Sequence, residues 1–173
     1  MSELARVRPP APHAAEFVHA NPDFNLEASL EFFADRYSGQ EWVLEGGAAV
    51  HQLTGGNRPE PHDLDVVCLD PAIQNDFNGF EYFDIKSIDL WMAFKGLAVP
   101  TGFWEHVMDT SVPANVAGTA VRLMHPSLIA AGKSFPYAGR PQRAKDIRDI
   151  ELLDVSLAQL DSAKARMVGA VAL

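Results

Sequence analysis

Apolar residues recur every three or four positions at Leu26, Leu30, Phe33 and Tyr37, which predicts a helix with that stripe buried. Asn25 can cap its start, and Ser38-Gly39 ends it. Trp42-Val43-Leu44 predicts a strand that Gly46-Gly47 breaks. Ala48 to Leu53 fits a short helix, and Thr54 to Pro61 (TGGNRPEP) has the composition of a loop. Asp63 to Leu69 opens on two acids and then turns almost wholly apolar, the pattern of a strand buried on both faces.

Pro71 to Asn78 fits a short helix. Phe80 to Phe94 (FEYFDIKSIDLWMAF) is rich in aromatics and Ile and predicts one or two further strands. Val99-Pro100-Thr101-Gly102 turns the chain into a helix over Phe103 to Met108, and Val116 to Met124 reads as a last strand with Gly118 at a turn. Pro126 opens a helix that Leu128, Ile129 and Ala130-Ala131 build, with Lys133 near its end. Ser134 to Gln142 is a loop. Arg143 to about Leu160 predicts one long helix, with Ile147, Ile150, Leu153, Leu157 and Leu160 as its apolar face. Met1 to Pro22 is rich in Ala and Pro and carries no steady apolar period, so it reads as a flexible arm.

This order predicts an α+β fold: a small mixed β-sheet flanked by helices, with a helical C-terminal part. Three segments follow: the arm over 1–22, a core over 23–125, and a C-terminal helical segment over 126–173 packed on that core. With 173 residues and 47% hydrophobic composition, one domain with a sizeable core is expected.

The formal net charge of -9 disfavours a broad, sequence-independent grip on nucleic acid, and suits a cationic small molecule. Cys68 is the single cysteine, so an intramolecular disulfide is excluded and a reducing cytoplasm is the expected compartment. It lies in the apolar run VVCL and reads as a small buried hydrophobe. No apolar run approaches bilayer length, and the N-terminal stretch lacks the apolar core of a signal peptide, so no membrane partner is expected.

Candidate chemistry concentrates between Trp42 and Leu69. Asp63 and Asp65 stand two apart on a strand, so their side chains share a face with Cα atoms about 7 Å apart. Two carboxylates so placed repel each other unless a cation lies between them. Gly46-Gly47 sits beside them at a strand-to-helix turn, where backbone N–H groups are free to meet an anion. A metal site next to a phosphate site points to metal-assisted phosphoryl chemistry. Arg58 and His62 lie near the first carboxylate in sequence, and Lys133, Arg143, Lys145 and Asp146 form a later charged cluster.

These residues resemble the nucleotidyltransferase superfamily with polymerase β-like folds, marked by a Gly-Gly or Gly-Ser turn after a strand and Asp-x-Asp on the next. Here those are Gly46-Gly47 and Asp63-Leu64-Asp65. WVLEGGAAVHQLTGGNRPEPHDLD is most similar to the small antibiotic nucleotidyltransferases acting on lincosamides and aminoglycosides. LIAAGK, with the following RAKDIRDIELL, is similar to the abortive-infection and toxin–antitoxin nucleotidyltransferases. The resemblance implies that an NMP passes from an NTP to an acceptor hydroxyl, with Mg2+ as cofactor and pyrophosphate released. It implies Mg2+ on Asp63 and Asp65, and a third carboxylate from a neighbouring strand. Asp84 and Asp89 are the candidates, and Asp89 is favoured because SIDLW looks more like a strand centre. Gly46, Gly47, Arg58, Lys133 and Lys145 would bind the nucleotide. The acceptor is expected to be a small antibiotic-like molecule. The alternatives are a toxin acting on tRNA or protein, with an antitoxin partner, and a non-catalytic nucleotide- or partner-binding module of the same fold. A homodimer is a further expectation.

Overall fold

The computed structural model describes residues 9–136 and 141–169. Among them lie, in order, α1 (Pro12–Ala20), α2 (Leu26–Arg36), β1 (Trp42–Leu44), α3 (Gly46–Leu53), β2 (Leu64–Cys68), α4 (Pro71–Asp76) and β3 (Phe83–Ser87). They continue as α5 (Ile88–Ala93), α6 (Phe103–Thr110), β4 (Val112–Val116), β5 (Thr119–Leu123), α7 (Pro126–Ser134), α8 (Ala144–Leu153) and α9 (Leu157–Met167).

The five strands form one mixed sheet in the order β3-β2-β1-β5-β4. β1 runs antiparallel to β2 and parallel to β5, while β2 and β3 are parallel. A parallel pair needs a crossover of a dozen or more residues, and the segment carrying α4 supplies it. Asp70 caps α4 by accepting from Ala72 N at 2.9 Å, and Pro71 takes the first helical position. Val43, Leu44, Leu64, Val66 and Val67 are buried from the inner strands, as an apolar run shielded on both faces must be. Leu30, Phe33, Val50 and Ile129 close the core from the helices. The α+β class and the mixed sheet are as the hydrophobic pattern predicts.

Four elements depart from that pattern. First, Pro12–Ala20 is a helix rather than part of a flexible arm. Phe17 stacks on Phe32 with ring centroids 4.2 Å apart and meets Phe83 edge-on at 5.8 Å. Ala14 is fully buried, and Tyr82 Oη donates to the Asn21 carbonyl at 2.6 Å. These contacts with distant residues anchor it, and they do not show as a period; residues 1–8 of the arm lie outside the described residues.

Second, Phe80–Phe94 holds one strand followed by a helix. Ser87 ends β3 and caps α5, accepting from Leu90 N at 3.3 Å. Ile88, Trp91 and Met92 then share a buried helical face. Third, Val116–Met124 is not one strand: it holds the end of β4, the expected turn at Gly118 and then β5, which pairs back on β4 as a hairpin. Ala117 (φ 50°) and Gly118 (φ 85°) form its two-residue turn, the left-handed geometry that matches strand twist. Pro113 is tolerated because β4 is an edge strand.

Fourth, the helix expected from Arg143 to Leu160 is two. Asp154 turns left-handed at φ 50°, and Ser156 with Gln159 makes a reciprocal cap that starts α9. Consequently Ile147 and Leu157 are exposed, whereas Asp146 and Asp149 face inward from α8. α8 and α9 both pack on α7. Residues 137–140 of the preceding loop and 170–173 of the C-terminal segment lie outside the described residues.

Candidate active site

Parallel pairing of β2 with β3 sets Asp65 directly opposite Asp84. Asp63, just ahead of β2, joins them. Each of the three offers a carboxylate oxygen, and these oxygens all lie within 4.8 Å of one another. Asp84, not the favoured Asp89, is therefore the third carboxylate of the cluster. Asp89 is exposed in the first turn of α5, because the chain leaves the strand at Ser87. The start of α5 removes Asp89 from the strand altogether.

Burial raises the Asp65 carboxyl well above the usual carboxylate range, and the charges of Glu45, Asp63 and Asp84 push it further. The Lys86 ammonium works against them. Lys86 is salt-bridged to Asp84 on the same strand face, two residues on. Burial alone would lower the Lys86 pKa, but Asp84, Glu45 and Asp65 together raise it.

The Gly46-Gly47 turn is shaped by this acid. Gly46 is left-handed at φ 60°, and a Cβ there would stand 2.0 Å from Asp65 Oδ2. Gly47 N–H donates to the same oxygen at 3.2 Å. That amide, expected to be free for an anion, is thus engaged by Asp65. The turn's glycines serve close approach of side chains: a Cβ at Gly47 would also meet the Arg58 guanidinium at 2.9 Å.

Arg58 folds inward from the loop between α3 and β2. Its Nε donates to Asp149 Oδ1 at 2.8 Å, and its backbone carbonyl lies 2.6 Å from His51 Nδ1. Asp149 Oδ2 is 3.1 Å from Lys133 Nζ, an ion pair without hydrogen-bond alignment. Lys133 also donates to Asp146 Oδ1 at 3.2 Å, and Arg143 Nε donates to Asp146 Oδ2 at 2.7 Å. Burial opposes the charged form of Lys133, yet Glu45, Asp149 and Asp146 hold its pKa above the ordinary lysine range. Burial likewise opposes the Asp146 carboxylate, and the Arg143 hydrogen bond and the Lys133 charge override it, lowering the pKa.

These groups line one cleft. Gly46, Gly47, Arg58, Asp63, Asp65, Lys133 and Lys145 all border it, as do Asp84, Lys86, Lys95 and Glu45. Lys145 is exposed at its rim and His62 is exposed outside it. Of the residues singled out from sequence, Asp89 and His62 stand away from the cleft lining. Sequence reasoning missed Glu45, Lys86 and Lys95. Lys86 carried a signal, two residues beyond Asp84 on a strand; Lys95 carried none, because its place depends on how α5 packs. The cleft has an acidic floor and basic walls, an arrangement that can hold a divalent cation against an anionic ligand.

No protein-family model matches the sequence, and no curated protein matches it. Among solved structures the chain is similar to an antigenic nucleotidyltransferase-like protein from Paracoccidioides brasiliensis. That similarity has a TM-score of 0.46 and 16% identity, over 83% of this chain and 87% of the other. Likeness of this extent assigns no activity. Among the described residues, no helix is long and apolar enough to cross a membrane.

Proposed function

We propose that this chain is a Mg2+-dependent nucleotidyltransferase that moves an NMP from an NTP to a hydroxyl of a small acceptor. The observation that carries the reading is the convergence of Asp63, Asp65 and Asp84, with oxygens within 4.8 Å of one another, in a cleft walled by lysines and arginines. The donor set fits Mg2+: all three ligands are hard oxygens, and the buried Asp65 carboxyl needs a nearby cation to ionise readily. Asp63, Asp65 and Asp84 would hold the ion, which would neutralise phosphate charge and orient the α-phosphate.

The chain's own groups do the rest. Lys86 keeps Asp84 fixed, so that Asp84 is placed to take the proton of the acceptor hydroxyl. The acceptor oxygen bonds to the α-phosphorus, the bond from that phosphorus to the bridging oxygen breaks, and pyrophosphate leaves. Lys133 and Lys145 would meet phosphate oxygens from the α7–α8 wall. Positioning and charge neutralisation supply most of the rate. The net charge of -9 supports a cationic small acceptor over a nucleic-acid one. The placement of Asp84 beside Asp63 and Asp65 supports turnover over a module that only binds.

The test is pyrophosphate release with each NTP over a panel of amine-bearing hydroxylated small molecules and tRNA. Wild type is expected to turn over with a small acceptor, and Asp65→Asn and Asp84→Asn are expected to lose turnover while staying folded. Full activity in either variant overturns the assignment. Turnover on tRNA alone moves the chain to the toxin-type alternative.

A further inference from the structure

Lys95 enters the cleft from just beyond α5, and its surroundings are unlike those of the other cations there. Arg58, Lys86, Lys133 and Arg143 each engage a carboxylate. Lys95 has no carboxylate within ion-pair distance among the described residues. Its Nζ instead lies over the Trp91 ring, 3.9 Å from the centroid, and donates to the Trp91 carbonyl at 3.3 Å. Gly132 of α7 makes room for both: a Cβ there would stand 2.8 Å from the Trp91 ring and 3.1 Å from Lys95 Cε. The seat is built by packing of two helices, and it leaves the ammonium partly desolvated and unneutralised at the cleft wall.

Resting on the reading of this cleft as an NTP site, we propose that Lys95 is the anchor for the triphosphate, a cation held in reserve on Trp91 for the phosphate oxygens. Ligand charge would replace the partner that the protein withholds. The other buried cations of the cleft are already committed to carboxylates and Lys145 stands exposed at the rim, so an arriving polyphosphate gains most from the desolvated cation that is not committed.

The proposal makes binding proton-linked. Burial, with the charges of Lys86 of β3 and Lys133 of α7, lowers the Lys95 pKa to about 8 against the opposing charges of Glu45 ahead of α3 and Asp146 of α8. Lys86 and Lys133 have raised pKa values and stay charged over the same range. A bound anion favours the charged form, so the Lys95 pKa rises on binding and a proton is taken up. Affinity is therefore full below pH 8 and falls as pH rises through that value, by up to about ten-fold per unit.

The experiment is calorimetric titration of the full chain with a Mg2+-bound, non-hydrolysable NTP analogue between pH 7.5 and 9.5, in buffers of different ionisation enthalpy. Wild type is expected to take up a proton near pH 8 and to lose affinity above it. Lys95→Gln is expected to bind about ten- to a hundred-fold more weakly at pH 7.5, with no proton uptake. Lys95→Arg should keep its affinity at pH 9.5, because its charge does not titrate. Wild-type binding that is flat with pH, or Lys95→Gln binding as wild type does, overturns the role of Lys95 and leaves the nucleotide site standing. A wild type that binds no NTP analogue at any pH overturns the nucleotide reading and this inference with it.

Discussion

Gly46 and Asp65 define each other. The left-handed φ of 60° and the 2.0 Å approach to Asp65 Oδ2 leave no room for a methyl group. Gly46→Ala is expected to displace the Asp65 carboxylate and to cost about 1–3 kcal/mol from backbone strain alone. Urea denaturation and Mg2+-dependent turnover check both effects; unchanged turnover at unchanged stability contradicts the geometry. The two candidate third acids can be told apart as simply. Asp84→Asn should abolish transfer, whereas Asp89→Asn, exposed on α5, should keep nearly wild-type rates. The reverse outcome in turnover assays would restore Asp89. The Asp63-x-Asp65 pair and the glycine turn were legible because they lie close in sequence and their strand geometry is regular. Asp84 was not, since its selection depends on which residue of β3 pairs with Asp65.

At the level of elements, the buried acids of α8 tie it to α7 and to the Arg58 loop. Side chains of Lys133, Asp146 and Asp149 are 11%, 8% and 3% exposed, so their charges are scarcely screened. Without Lys133 each acid keeps one cation, Arg143 on Asp146 and Arg58 on Asp149, but loses a buried partner, and Lys133→Met is expected to destabilise the chain by about 1–3 kcal/mol. Chemical denaturation measures this; a cost under about 1 kcal/mol would show the pairs to be solvated. The pH limits follow from the shifts. Asp146 has a lowered folded pKa, so its stabilisation is present above the unfolded carboxylate pKa and is lost as pH falls through the folded one. Lys133 has a raised folded pKa, so its contribution is present below the unfolded lysine pKa and is lost as pH rises through the folded one. Stability against pH should therefore fall at both ends, and Lys133→Met should lose the alkaline limb. The apolar stripe of 143–160 hid this face, since its periodicity continues across Asp154, where the backbone turns. The Ser156-x-x-Gln159 cap was the local sign that a new helix begins.

For the molecule as a whole, the sheet order brings the ends of β2 and β3 and the N-terminus of α7's neighbour α8 to one cleft. A ligand that spans acidic floor and basic walls should stabilise the whole chain. With Mg2+ and an NTP at about 100 times its Kd, about 2.7 kcal/mol is expected, or roughly 5–10 °C in Tm for a chain of this size. Differential scanning fluorimetry of wild type and Asp65→Asn checks it: the shift should need Mg2+ and vanish in the variant. A shift that persists without Mg2+ would separate nucleotide binding from the carboxylates.

Local information in the sequence determined the α2 stripe, the β1–turn–α3 unit, the apolar β2 with its leading acids, and the α7 start at Pro126. Each rests on residues within a few positions of one another, where periodicity, capping and turn chemistry act. Tertiary structure alone decided the docking of α1, the pairing of Asp65 with Asp84, the inward turn of Arg58, Asp146 and Asp149, and the seat of Lys95 on Trp91. Those depend on contacts between distant segments, where burial and charge override local pattern: a buried carboxylate is stable only where a cation from another element meets it.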